Sequence, residues 1–343
     1  MMSILREENG YATVHVLGVT LVIAAVIGAY GLWVRFEAHS ALRLKITEEA
    51  RLNARAGLNR ALMLLLSDHT EDFDWLGEDW GKGLCAGEGT VVILDEGSKL
   101  GLNWMNLPMW SALCGSHSQS VQRLQQERNE RGGLISSVLE AKYLYPELAL
   151  DEALVTVYSC FNLNSVDEGV LRALWRAAGA LPLEAEVIAK SLRDRRADRP
   201  LDIKELESIT HMSTELMQRV FPWIVFEGPI NVNTASSPVL KVLFEANGLT
   251  DALYRRLIEA RKGTPFRNLE EVERVLGIRL LDEQARPIGI GKWLTVRSTF
   301  FRISSSYGNP PVIIDAVVRR TWNGQTSCWE IQTVSWMEQG DRD

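Results

Sequence analysis

A chain of 343 residues with 46% apolar and 24% charged side chains can bury a substantial core, which excludes a disordered tail and a multi-span membrane protein. Its 37 Lys and Arg against 44 Asp and Glu leave a net charge of −7, which argues against a protein whose main task is gripping phosphate backbones. The length allows about two domains of roughly 150 residues. Cys85, Cys114, Cys160 and Cys328 form no CxxC pair, which argues against a zinc knuckle.

Residues 11–34 contain no Asp, Glu, Lys or Arg, and their single histidine is His15. About 20 apolar residues cross a bilayer core as a helix, so this stretch is long enough to span. It is too long for the core of a secretory signal. Arg6 precedes the span while Arg35, Arg43 and Lys45 follow it, so a count of basic residues alone would put the C-terminal side inside. Beyond Phe36, Leu42, Ile46, Ala50, Ala54, Leu58, Leu62 and Leu65 recur at helical spacing among charged residues, which predicts an amphipathic continuation. Residues 11–66 then make a rod of roughly 80 Å at about 1.5 Å per residue, and its second half needs an apolar surface to pack on.

A hairpin is expected next, from strand 90–94 through a turn at 95–98 to strand 99–103. The middle of the chain repeats three times. In the clearest copy Ile230-Asn231-Val232-Asn233-Thr234-Ala235-Ser236 leads into Val239, Leu240, Leu243 and Phe244, then 257–261, then 265–272. An earlier copy has Phe161-Asn162-Leu163-Asn164-Ser165, Val170, Leu171, Leu174, Trp175 and Ile188, and ends in Ile203, Leu206 and Ile209. A weaker first copy runs through Leu102-Asn103, Met109, Trp110, Leu113, Ile135, Val138 and Ala141. Each copy reads as a strand-like entry, a capped helix, a second helix and a short third one. Asn231 and Asn233, like Asn162 and Asn164, suit an entry turn held by their own side chains. Thr234 or Ser236 can cap the helix that follows. Three strand-like runs come last, at 293–303, 312–321 and 327–336, with Asn323-Gly324 as the expected tight turn between the final two.

No HExxH, GxSxG, Walker loop or paired CxxC is present, so no enzyme is expected. Two acidic groups are weak candidates for calcium: Asp72 and Asp74 in the loop behind the stalk, and Asp194 and Asp198 in the second repeat. Neither has EF-hand spacing.

These features resemble the minor pseudopilin K family of type II secretion, also called general secretion pathway protein K. The residues that carry the likeness are the polar leader ending in Gly10 before Tyr11, the long apolar helix, the Asn-x-Asn-Thr-Ala repeat, and strands on both sides of a helical insert. The resemblance implies an α+β fold with a pilin-like antiparallel sheet, interrupted by helix–hairpin–helix-like (SAM-like) repeats. It implies a leader at 1–10 cut by prepilin peptidase between Gly10 and Tyr11, a transmembrane half at 11–34 and a stalk at 35–68. A loop and first hairpin would fill 69–103 and the insert 104–283, with repeats near 100–150, 161–222 and 230–280. The returning strands would fill 284–343.

In most pilins the fifth mature residue is Glu, and this family lacks it; here the position holds His15. The implied role is a non-enzymatic tip subunit that initiates or caps a pseudopilus in the inner membrane. It would cross once, with its head on the extracytoplasmic side. Its partners would be other minor pseudopilins, packed on His15, Leu42, Ile46, Ala50, Leu58 and Leu62, together with the inner-membrane platform, the peptidase and lipid. No cofactor beyond possible calcium and no nucleic acid are implied. The alternative is a membrane-anchored helix–hairpin–helix DNA receptor of the competence type. The hairpin positions 245–250 and 276–279 lack the Gly-x-Gly that such a receptor uses to approach phosphate, and Thr210-His211-Met212 lacks it too. A single-span scaffold is a third, blander reading.

Overall fold

The computed structural model describes the chain except residues 1–3, 87–88, 116–117, 132–133, 199, 202–205, 207, 209–212, 324–325, 327 and 340–343, and the side chains of residues 4–10, 85–86, 118, 127–131 and 198. It opens with one continuous helix, α1 (Ile4–Leu66, 63 residues). Five strands make the main sheet: β1 (Leu84–Ala86), β2 (Gly89–Asp95), β9 (Phe300–Tyr307), β10 (Val312–Asn323) and β11 (Cys328–Gln339). They lie in that order, and every neighbouring pair is antiparallel. The insert lies between β2 and β9. The fold is therefore α+β, as expected.

The C-terminal part of α1 packs on one face of this sheet. Ala50, Ala54, Leu58, Ala61 and Leu65 recur every three or four residues and are buried, most of them against Val91, Ile93, Phe301, Ile303, Ile314, Ala316 and Val318. The small residues let the backbones approach. A Cβ on Gly57 would lie 2.5 Å from Ser305 Oγ and 2.8 Å from Val91, and Ser305 Oγ donates to the Ala54 carbonyl at 2.8 Å.

The insert consists of three units, each with its own closure. The first holds β3 (Leu100–Gly101), α2 (Leu107–Cys114), α3 (Ser118–Arg131), α4 (Val138–Leu144) and β4 (Val155–Thr156). The second holds β5 (Phe161–Asn162), α5 (Glu168–Ala177), α6 (Pro182–Asp198), α7 (Thr214–Val220) and β6 (Ile224–Val225). The third holds β7 (Ile230–Asn231), α8 (Ser237–Ala246), α9 (Asp251–Arg261), α10 (Leu269–Leu276) and β8 (Leu294–Thr295). In each, the entry strand pairs in parallel with the exit strand. One further rung follows every time: Leu102 N to Thr156 O at 2.8 Å, Leu163 N to Val225 O at 3.1 Å and Val232 N to Thr295 O at 2.9 Å. One apolar core runs through all three units, from Leu100 to Val296.

Several expectations need correction. The first hairpin is β1–β2, and residues 100–101 belong to the insert. The Asp95 side chain accepts from Gly97 N at 2.7 Å and turns the chain away from the sheet. The insert, as closed by its outer bridges, thus spans 100–295 rather than 104–283. The run 293–303 is two strands: β8 closes the third unit, and β9 joins the main sheet after a break. β10 and β11 pair from Asn323 to Cys328, so the loop between them is longer than the two-residue turn expected at Asn323-Gly324; Gly324 itself lies outside the described residues. Ile203, Ile209 and 210–212 also lie outside them.

Candidate functional site

Below Ala50 the helix stands free. Leu42 and Ile46 are 53% and 46% exposed, whereas Ala50 and Leu58 are each 3% exposed. Ala50, Leu58 and, in part, Leu62 therefore pack on the chain's own sheet and not on a second subunit. The apolar surface that the stalk requires is supplied from within the chain, which leaves Leu42, Ile46 and the span below for others. His15 is exposed, with Nδ1 3.1 Å from the Tyr11 carbonyl and its ring 4.3 Å from that of Tyr11. Gly10 and Tyr11 lie in unbroken helix. The stretch from Tyr11 onward is long and apolar enough to cross a membrane.

At its other end the helix runs into a buried polar junction where loop, sheet and insert meet. Arg320 projects from β10 onto the core face, fully buried between the rings of Phe301 (4.7 Å) and Trp329 (4.1 Å). Its Nη1 donates to Asp68 Oδ2 at 2.7 Å and its Nη2 to Asp74 Oδ1. Asp74 Oδ2 accepts from Ser298 N at 2.6 Å. Ser298 Oγ donates to Asp95 Oδ2 at 2.6 Å, and Thr234 Oγ1 donates to the same oxygen. Asn231 Nδ2 reaches Ser298 Oγ at 2.7 Å and the Asp74 carbonyl at 3.1 Å. Nearby, Thr70 Oγ1 stands 2.8 Å from Asp68 Oδ1 and 2.7 Å from Glu78 Oε1, with one hydrogen for two acceptors. A proton on Glu78 satisfies both, in keeping with burial that pushes its carboxyl up to about 7. Burial likewise pushes Asp95 up to about 6.

The paired asparagines hold each repeat together. Asn162 Oδ1 accepts from Asn164 N, and Asn231 Oδ1 from Asn233 N, both at 2.9 Å, which are the expected side-chain turns. The second asparagine also clamps the segment leading to the third helix through two bonds. Asn233 Nδ2 donates to the Phe266 carbonyl at 2.9 Å while Phe266 N donates to Asn233 Oδ1 at 2.8 Å. Asn164 does the same with Leu201 (3.1 and 2.7 Å), and Asn103 with Ile135 (3.0 and 2.8 Å). The first copy has Gly101 in place of the leading asparagine. A Cβ there would lie 2.0 Å from Trp104 Nε1, so the indole takes that space, and it donates to Ser159 Oγ at 2.9 Å. Thr234 does not cap α8, because its hydroxyl is spent on Asp95; Ser236 occupies the cap position without a side-chain bond.

Among the described residues the calcium candidates do not converge. Asp72 is exposed, Asp74 is bound by Arg320 and Ser298, and Asp194 is exposed and paired with Arg193 at 2.8 Å. The side chain of Asp198 lies outside the described residues. Asp68, Asp74 and Glu78 do bring carboxylate oxygens within 4.8 Å of one another. The guanidinium of Arg320 stands where a cation would be, so this trio does not fit a site needing six to eight oxygens. Arg320, Asp95 and Ser298 were missed in the sequence. Their signal is a charge on a core-facing register: Val91, Ile93, Asp95 on β2 and Ile314, Ala316, Val318, Arg320 on β10.

The described chain thus combines a free apolar helix, a sheet laid on its upper part and a repeat-built insert beyond its end. Residues 230–291, the third unit up to its closing strand, match the family described as type II secretion system (T2SS), protein K. That match covers the third unit and less than a fifth of the chain. No curated protein matches the chain. Among solved structures, the crystal structure of the GspK-GspI-GspJ complex from the enterotoxigenic Escherichia coli type 2 secretion system is similar at 17% identity, over 90% of this chain and 99% of that one, with a TM-score of 0.36. A TM-score of 0.36 is too low to equate the two folds.

Proposed function

We propose that the chain is a non-enzymatic tip subunit of a type II secretion pseudopilus, which initiates or caps the filament. The observation that carries this reading is where the insert attaches. It joins the sheet at the C-terminal end of α1, where the Leu65 carbonyl, Asp68 and Asp74 meet Arg320, at the opposite end of the molecule from the apolar span. A subunit stacked above would need the space that the insert fills. The exposed stretch from Tyr11 to Leu42 and Ile46 supports packing against other minor pseudopilins from below. With His15 at the fifth position after Gly10, the subunit brings no carboxylate to neutralise a neighbour's amine, which fits a position at the end of the row.

In this reading prepilin peptidase cuts after Gly10, the helix crosses the inner membrane once among lipid and the machine's platform, and the head lies on the extracytoplasmic side. Intact mass of the protein extracted from native membranes tests the reading. A chain starting at Tyr11 is expected. A chain starting at Met1 in cells with active peptidase would overturn it and favour an anchored receptor or scaffold.

A further inference from the structure

We propose that Asp95 is a proton-linked pin between the sheet and the inserted repeats, and that it holds them tightest when it carries a proton. Asp95 ends β2, and only 3% of it is exposed. Its hydrogen-bond partners are all neutral. Gly97 N comes from its own turn, Thr234 Oγ1 from the entry of the third unit, and Ser298 Oγ from the segment returning to the sheet. The charged groups around it do not favour its ionised form. Asp74 faces it across Ser298, and a carboxylate there opposes a second negative charge. Arg320 is already shared by Asp68 and Asp74, with Glu78 beyond them. Glu96, next in sequence, engages Lys99 at 3.1 Å and Arg302 at 2.7 Å. Among the described residues the insert brings only the Thr234 hydroxyl and the Asn231 amide, and the returning segment adds the Ser298 hydroxyl.

The geometry accepts a proton on Asp95 without losing a bond. With Oδ2 protonated, its O–H donates to Thr234 Oγ1. The threonine hydroxyl then redirects its own hydrogen to the Asn231 carbonyl, which lies 3.4 Å away. Both states keep the β2 corner tied to the third unit, but only the ionised state buries a charge without a cationic partner. A carboxyl held at about 6 when buried and near 3.8 when released favours the closed form most at low pH. Ionisation on opening then raises the opening equilibrium about tenfold between pH 5 and 7.

Hydrogen–deuterium exchange of the full chain in detergent micelles tests this. The readout is peptides covering 230–236 and 294–299, corrected for intrinsic exchange. The expected result is a roughly tenfold rise in opening from pH 5 to 7, abolished in Asp95→Asn. An equal rise in that variant, or none in the parent, overturns the proposal. Should Asp95→Asn fail to fold, Ser298→Ala keeps the carboxyl, removes one donor to its ionised form and leaves Thr234 Oγ1 to accept from the protonated one. The midpoint must then move to higher pH, and an unchanged or lower midpoint overturns the proposal equally.

Discussion

Arg320 on β10 and Asp74 behind the stalk form a buried ion pair across 246 residues of sequence, and the same guanidinium reaches Asp68. The insert and the sheet it interrupts meet here, so the pair joins parts of the chain that no local contact connects. Taking Arg320 away strands two buried carboxylates. Removing one partner of such a pair costs roughly 3–5 kcal/mol. Arg320→Met is therefore expected to lower the unfolding free energy of the full chain, read from its urea midpoint, by that order. A loss under about 1 kcal/mol would mean that the carboxylates find water, as exposed pairs do.

The asparagine clamps predict local effects. Asn233→Ala leaves the amide and carbonyl of Phe266 without their partners in a buried place, a loss on the order of 1–3 kcal/mol. Hydrogen exchange should rise first in α9 and α10, with the first unit protected as before. Asn164→Ala should move the weakness to the second unit. Uniform loosening of all three units by either variant would contradict separate closure.

Gly57 is a packing requirement. Even an alanine there must displace the side chains of Ser305 and Val91, and anything larger must lift α1 from the sheet. Gly57→Val should destabilise by roughly 1–3 kcal/mol, despite gaining helix propensity over glycine. Gly18, whose Cβ would meet nothing within 4 Å, serves as the control and should tolerate the same change.

Glu78 and Asp95 both titrate higher folded than unfolded, so the stability each contributes is complete at low pH and is lost as pH rises through the folded value. The thermal midpoint of the full chain should fall between about pH 5 and pH 7.5 and level off above, a direction set by these two groups and shared by Asp74, which burial also raises. Glu78→Gln mimics the protonated acid and should flatten the upper part of that fall. A midpoint that climbs over the same interval would contradict the assignment.

Exposure along α1 separates two kinds of stalk position. Cysteines placed at Leu42 or Ile46 should cross-link to other subunits in native membranes, and a cysteine at Leu58 should not, because the sheet covers it. A charge introduced on the exposed stretch, tested as Ile46→Glu, should impair secretion without lowering the unfolding free energy by more than about 0.5 kcal/mol, as for other exposed sites.

Much of this architecture is legible in the sequence because it rests on local periodicity. The charge-free span, the stripe from Ala50 to Leu65 and the Asn-x-Asn entries each fix a helix or a turn from a few neighbouring residues. What covers the stripe is not local. Ala50 and Leu58 look equally suited to a second subunit until the sheet is seen against them. The β3–β4, β5–β6 and β7–β8 bridges are two residues each and join positions more than fifty residues apart, too short and too distant for an alternation pattern to register. The first copy looks degenerate because Trp104 has replaced the side chain that marks the others. Asp95 and Arg320 sit on core-facing registers that alternation alone assigns to apolar residues, and their partners come from the far side of the insert.

The central claim is that this subunit ends the filament. Labelling the head of the full chain with a small epitope, in cells that assemble long pseudopili, and counting label along isolated filaments tests it most directly. The account predicts label at one end of each filament. Label spaced regularly along the shaft would contradict it, since every labelled subunit would then carry another above its insert.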